Sequence, residues 1–226
     1  MSDNGLIHVA GVIDNVEAKM LVDCGVEYLG FPLALNYHQE DLSVAHAAEI
    51  VATLGDRVTF FLITYLNRAG DIADLCSTLG VAMVQLHGTV AVEELKRLRA
   101  SHEHLRVIKS LIVHGDNALP LVDEMRIYSP IVDAFITDTF DPITGATGAT
   151  GKVHDWEISR RLVKYSRKPV ILAGGLNADN VRDAIKHVRP AGVDVHTGLE
   201  GPEGRKQPSL TKRFVAEARL GFADAA

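Results

Sequence analysis

Eight short apolar runs recur along this 226-residue chain, each followed by a segment of helical period, and this alternation constrains the fold more than any other feature. The runs are LIHVA (6–10), VEYLGF (26–31), VTFFLIT (58–64), AMVQLH (82–87), LRVIKSL (105–111), VDAFITD (132–138), PVILAG (169–174) and VDVHTG (193–198). The segments 15–24, 43–54, 68–79, 90–102, 115–127, 155–166, 177–188 and 208–219 carry apolar residues at i, i+3 and i+4. Strict strand–helix alternation argues for a parallel sheet. Eight units in this length match an α/β (β/α)8 TIM barrel, a single domain over 1–226. The rival is an open doubly wound sheet, whose G-x-G-x-x-G turn is missing after the first strand.

Local signals agree. Ser43, Asp155 and Asn177 read as N-caps of the second, sixth and seventh helices. Gly25, Gly55 and Gly80 stand where a left-handed residue would end the first three. No linker interrupts the chain, and its 47% apolar content suffices for one large core. The net charge is −6 and the Lys and Arg residues are scattered, so neither a nucleic acid nor an anionic membrane is expected as a partner. The N-terminal MSDNGLIHVAGVID lacks the basic start and apolar core of a secretory signal, and no apolar run reaches about 20 residues. A cytoplasmic location is therefore expected. Two cysteines, Cys24 and Cys76, form neither a disulfide framework nor a zinc site by themselves and read as core residues.

In such a barrel the active site lies at the C-terminal ends of the strands, and the loops after strands 7 and 8 commonly hold a phosphate. Those loops are AGGLN (173–177) and HTGLEGPEG (196–204). Gly174, Gly175 and Gly198 let backbone N–H groups approach an anion, with Asn177 and Thr197 beside them. Asp138 ends strand 6, and Gln85 and His87 on strand 4, with His8 on strand 1, are candidates for substrate contact. Lys109 on strand 5, and Tyr65 and Asn67 after strand 3, are further inward or mouth candidates. The ten histidines show no H-x-x-x-H or H-E-x-x-H spacing, so no metal and no cofactor is expected.

The segments VQLHG (84–88), ITDT (136–139), GATGKVHDW (148–156), ILAGGLNADNV (171–181) and GVDVHTGLEGPEGRK (192–206) resemble the signature regions of phosphoribosylanthranilate isomerase, a (β/α)8 enzyme of tryptophan biosynthesis. The resemblance implies an Amadori rearrangement of a phosphorylated ribosyl amine, aldose to ketose, without metal or organic cofactor. A general acid protonates the ring oxygen and a general base removes the C2 proton. Asp138 matches the family's acid. Burial raising its pKa would suit it to that part.

The family's base is a cysteine in Lys-Ile-Cys-Gly, where this chain reads His8-Val9-Ala10-Gly11. The family's Ser-Pro-Arg after strand 2, whose arginine engages the anthranilate carboxylate, is replaced by Asn36-Tyr37-His38-Gln39-Glu40. Strand parity turns His8 and Ala10 inward, together with Asp194 and His196 on the neighbouring strand 8. His196, where the family has a serine, thereby becomes the candidate replacement base, with a phosphate or substrate contact as its alternative role. One layer deeper His8 is expected to pair with Asp194. The rival functions are a sugar-phosphate lyase or aldolase working through a Schiff base on Lys109, and a phosphate-ligand-binding protein that has lost turnover. The Gly-rich segment 139–152 is a candidate lid. A monomer and a homodimer fit the pattern equally.

Overall fold

The computed structural model describes residues 5–35, 40–139 and 155–225. Eight parallel strands close into a barrel in sequence order. They are β1 (Leu6–Ala10), β2 (Tyr28–Pro32), β3 (Thr59–Thr64), β4 (Met83–Leu86), β5 (Arg106–Val113), β6 (Ala134–Thr139), β7 (Val170–Leu172) and β8 (Gly192–Val195). Helices α1 (Asn15–Asp23), α2 (Val44–Leu54), α3 (Ala69–Leu79), α4 (Val92–Ser101), α5 (Ala118–Tyr128), α6 (Trp156–Tyr165), α7 (Val181–Val188) and α8 (Pro208–Ala225) alternate with them. Closure is made by β1 against β8, with His8 opposite Asp194 in the register.

Because successive side chains alternate across a strand, the barrel wall has two apolar layers. The interior holds Leu6, Phe61, Ile108, Ala134, Ile136, Ile171 and Ala173. The larger layer between sheet and helices collects Val9, Leu29, Leu62, Val84, Leu111, Phe135, Leu172, Val193 and the helix residues facing them. Each helix turns its i, i+3, i+4 stripe to that layer, as α7 does with Val181, Ala184, Ile185 and Val188. Phe214 of α8 is fully buried there, and truncating it to alanine would cost about 3–5 kcal/mol.

Helix ends follow the sequence with two exceptions. Ser43 accepts from the His46 N–H at 3.3 Å and Asp155 from Glu157 at 2.9 Å. Gly80 ends α3 in the left-handed region at φ +72°. Gly55 keeps φ −59°, because α2 runs on into a right-handed turn. Asn177 does not cap α7, whose N-cap position is Asn180. Instead, its side chain accepts from the Asp179 N–H at 2.8 Å and shapes the turn before the helix.

Cys76 is buried in the outer layer, and burial pushes its thiol up to about 12. Cys24 caps α1, its sulfur against Met20 and the Pro208 carbonyl. Neither thiol is at the mouth, so neither takes the place of a cysteine at position 10. Among the described residues no helix is long and apolar enough to cross a membrane.

Candidate active site

The C-terminal ends of β6, β7 and β8 are laced together. Thr137 accepts from the Ala173 N–H at 3.1 Å, which ties β6 to β7. Gly174 and Gly175 then turn the chain with φ +104° and +64°, conformations that side chains rarely adopt. At Gly198 a Cβ would collide with the Leu176 carbonyl oxygen, so only glycine lets the loops after β7 and β8 touch. Among the described residues no hydrogen bond from the Gly174 or Gly175 N–H is found. Thr197–Leu199 form one turn of 3-10 helix, whose leading amides lack intrahelical acceptors. Asn177 is half-buried beside them and Thr197 is exposed. Free amides on contiguous loops make a cup for an anionic oxygen cluster.

Asp138 closes β6 facing inward and is buried. Its Oδ1 accepts from the Thr139 N–H at 2.8 Å, and its Oδ2 lies 3.0 Å from His87 Nε2. Tyr65 stacks on His87 with ring centroids 4.8 Å apart. Burial alone would push the His87 imidazole down, but the hydrogen bond and charge of Asp138 outweigh it and hold it above the ordinary histidine range. The imidazole therefore holds its proton more tightly than a free histidine does. Gln85, one layer below, donates to Ser110 Oγ at 3.1 Å inside the barrel.

On the opposite side, Ala10 ends β1 and presents only a methyl group. Gly11 follows with φ +73°, and a Cβ there would collide with His196 Nε2. The imidazole of His196 thus lies across the tip of β1, next to Ala10. Its Nε2 is 3.5 Å from Glu200, and no described group hydrogen-bonds its Nδ1. Burial, reinforced by the Lys206 charge and only partly offset by Glu200, Asp194 and Asp41, pushes this histidine below its ordinary value. A neutral imidazole with one open nitrogen can accept a proton.

His8 is fully buried below Ala10 and stacks on Phe61 at 4.3 Å. Its Nδ1 is 2.7 Å from Asp194 Oδ1. The carboxylate lies off the direction of the ring N–H, so the contact is electrostatic without the alignment of a hydrogen bond. Gly30 makes room for it, since a Cβ there would sit 2.6 Å from His8 Nε2.

One expected inward residue is not inward. Lys109 shares its face of β5 with Val107 and Leu111 and lies behind the barrel wall. Its Nζ donates to the Ser110 carbonyl at 2.7 Å, is 3.7 Å from Glu124 and lies over the Tyr128 ring of α5. Burial lowers its pKa, and the amine borders a cavity of about 330 Å³ between β5 and α5 whose lining also includes His87 and Ser110. Lys109 thus stands on the outer face of the wall, paired with Glu124, and not on the inward face that carries Gln85, His87 and Asp138. Tyr37 and His38, and the candidate lid over 140–152, lie outside the described residues. The buried Lys206 and Glu17 and the half-buried Glu200 form a cluster at the mouth that strand patterning does not flag. The Asp14-x-x-Glu17 capping pattern was its one visible trace, with Glu17 N–H donating to Asp14 at 2.8 Å.

The family model for N-(5'-phosphoribosyl)anthranilate (PRA) isomerase matches residues 15–217. The chain is 36% identical over 217 residues to N-(5'-phosphoribosyl)anthranilate isomerase 2 of Methanosarcina mazei, covering 96% of this chain and 95% of the relative. Phosphoribosyl anthranilate isomerase of Thermotoga maritima superposes with a TM-score of 0.79 at 27% identity, covering 95% of this chain and 98% of that one. A phosphoribosyl anthranilate isomerase solved in complex with reduced 1-(o-carboxyphenylamino)-1-deoxyribulose 5-phosphate gives 0.77 at 26% identity, with the same coverage.

Proposed function

We propose a function from one premise: this chain belongs to the N-(5'-phosphoribosyl)anthranilate isomerase family, as the match over 15–217 and the 36% identical relative establish. It is an isomerase of that type, and its reaction is an aldose-to-ketose conversion. In our reading the substrate is a phosphorylated ribosyl amine whose phosphate rests on the amides around Gly174, Gly175 and Gly198, beside Asn177 and Thr197. Asp138 delivers a proton to the ring oxygen as the C1–O bond breaks with its electron pair leaving on that oxygen and the nitrogen lone pair forms a C=N bond to C1, and His87 restores the proton to Asp138. His196 then takes the C2 proton, giving an enolamine that gains a proton at C1 and gives up its C2-hydroxyl proton to solvent, becoming the ketose. Atoms and electrons balance, and no oxidant or reductant enters. Gln85 and the His8–Asp194 pair fill the layer beneath and support the groups above. A cytoplasmic biosynthetic setting goes with this chemistry.

The observation that carries this reading is the imidazole lying across the tip of β1 beside Ala10, with no group of its own residue there to compete. A base and an acid then stand on opposite sides of one anion cup. The test is incubation with N-(5'-phosphoribosyl)anthranilate in deuterium oxide. Conversion to the 1-deoxyribulose product with solvent deuterium at C1 supports the reading. Binding without turnover would leave only a phosphate-ligand protein, the outcome that Ala10 favours if His196 is not a base.

A further inference from the structure

Under the tip of β1 lies an ion cluster that the chemistry above does not use. Lys206, in the loop leading to α8, is 4% exposed. Its Nζ donates to the Gly11 carbonyl at 2.7 Å and to Glu200 at 3.3 Å, and stands 3.9 Å from Glu17. Its backbone N–H donates to Glu17 Oε1 at 2.9 Å, while Glu17 Oε2 accepts from the Ile13 N–H at 3.2 Å. A buried ammonium is tolerated only when paired and hydrogen-bonded. A surface ion pair would hold this loop at less cost in desolvation. What the buried position adds is contact with two particular groups, the carbonyl of the glycine on which the His196 ring lies and the carboxylate beside its Nε2.

We propose that Lys206 is a positioning residue for His196, clamping the β1 tip to the loop after β8 through the Gly11 carbonyl and Glu200 so that the imidazole stays over Gly11. The proposal rests on His196 acting as the base. Every charged neighbour of that ring bears on the same balance. Lys206 opposes the imidazolium, whereas Glu200, Asp194 below and Asp41 from the loop after β2 favour it. Glu17 lies behind the ammonium, and Arg205 is paired with Asp14 at 2.7 Å on the rim. With the ammonium in place, Glu200 is shared and His196 stays neutral. Without it, three carboxylates face the ring.

The experiment pairs two variants with two readouts, an NMR titration of His196 and the pH profile of kcat/KM on N-(5'-phosphoribosyl)anthranilate. Lys206→Met should raise the His196 pKa by about one unit or more, move the acid limb of the profile upward with it, and lower kcat more than KM is changed. Lys206→Arg should restore most of the loss. Glu200→Gln keeps the Lys206–Glu17 and Lys206–Gly11 contacts, so it tests the same clamp should the methionine variant fail to fold, and it should shift the titration downward. A His196 titration that ignores Glu200→Gln and any folded Lys206 variant overturns the proposal. A titration that moves while the acid limb stays fixed upholds the clamp and overturns His196 as the base.

Discussion

From β6 round to β8 the mouth is lined chiefly by backbone at Gly174, Gly175 and Gly198, with Asp138, paired to His87 after β4, added as side-chain chemistry. From β8 round to β2 the strand tips contribute almost nothing of their own. Ala10 is a methyl group, Gly11 and Gly30 are cleared space, and the His196 ring leans over from the end of β8. The difference is physical. A backbone cup depends on left-handed turns and on a loop contact closed to any Cβ, so it is fixed wherever the phosphate is fixed. A proton acceptor needs only to reach the same carbon, and in a closed barrel the neighbouring strand can supply it.

Breaking the first side should show the largest effect through Asp138→Asn. The amide can neither donate the reacting proton nor hold one with His87, and kcat/KM should fall by about 10²–10⁴. A loss of only a few-fold would move the acid elsewhere. Gly11→Ala strikes the second side without touching a chemical group. A Cβ there collides with His196 Nε2 at a backbone φ of +73°, and displacing the ring by about 1 Å should lower kcat by about 10²-fold. Crystallography of the variant should show the imidazole turned away from β1. Gly198→Ala brings a Cβ against the Leu176 carbonyl. It should cost about 1–3 kcal/mol of stability and raise KM for the phosphorylated substrate more than it lowers kcat. Equal KM for wild type and variant would remove the phosphate from that loop.

The smallest effect is one of linkage. His87 binds its proton more tightly in the folded than in the unfolded state, so its pair with Asp138 stabilises the fold fully below about pH 6.5. That stabilisation is lost as pH rises through the folded value. Denaturant melts of wild type and Asp138→Asn should therefore converge as pH rises above neutrality. His196, shifted the other way, works against the fold at acid pH and should leave the alkaline melts unchanged.

Most of this was legible from residues alone where a period or a turn carried it. Alternating runs placed all eight strands within two or three residues, and parity placed His8, Ala10, Asp194 and His196 on the inner face. Lys109 was named an inward or mouth candidate, whereas parity with the inner Ile108 and Ser110 turns it outward. Its long aliphatic stem crosses the outer layer and lets the amine reach the Ser110 carbonyl and Glu124. Gly55 ends α2 as expected but in a right-handed turn, and Asn177 bonds two residues on in place of capping α7, a conformation as open to it as a cap is. The Lys206–Glu200–Glu17 cluster was hidden for a different reason. Its members lie up to 189 positions apart in the chain, and a charged residue in a Gly-rich loop reads as solvated until the fold buries it.

The proposal that the base stands at the end of β8 and not on β1 is tested most directly by kcat/KM of His196→Ala on N-(5'-phosphoribosyl)anthranilate, measured beside wild type at one pH near neutrality. A drop of about 10²–10⁴ with the fold and phosphate binding intact is expected. A variant that keeps its rate within a few-fold of wild type would show that the proton at C2 leaves by another route.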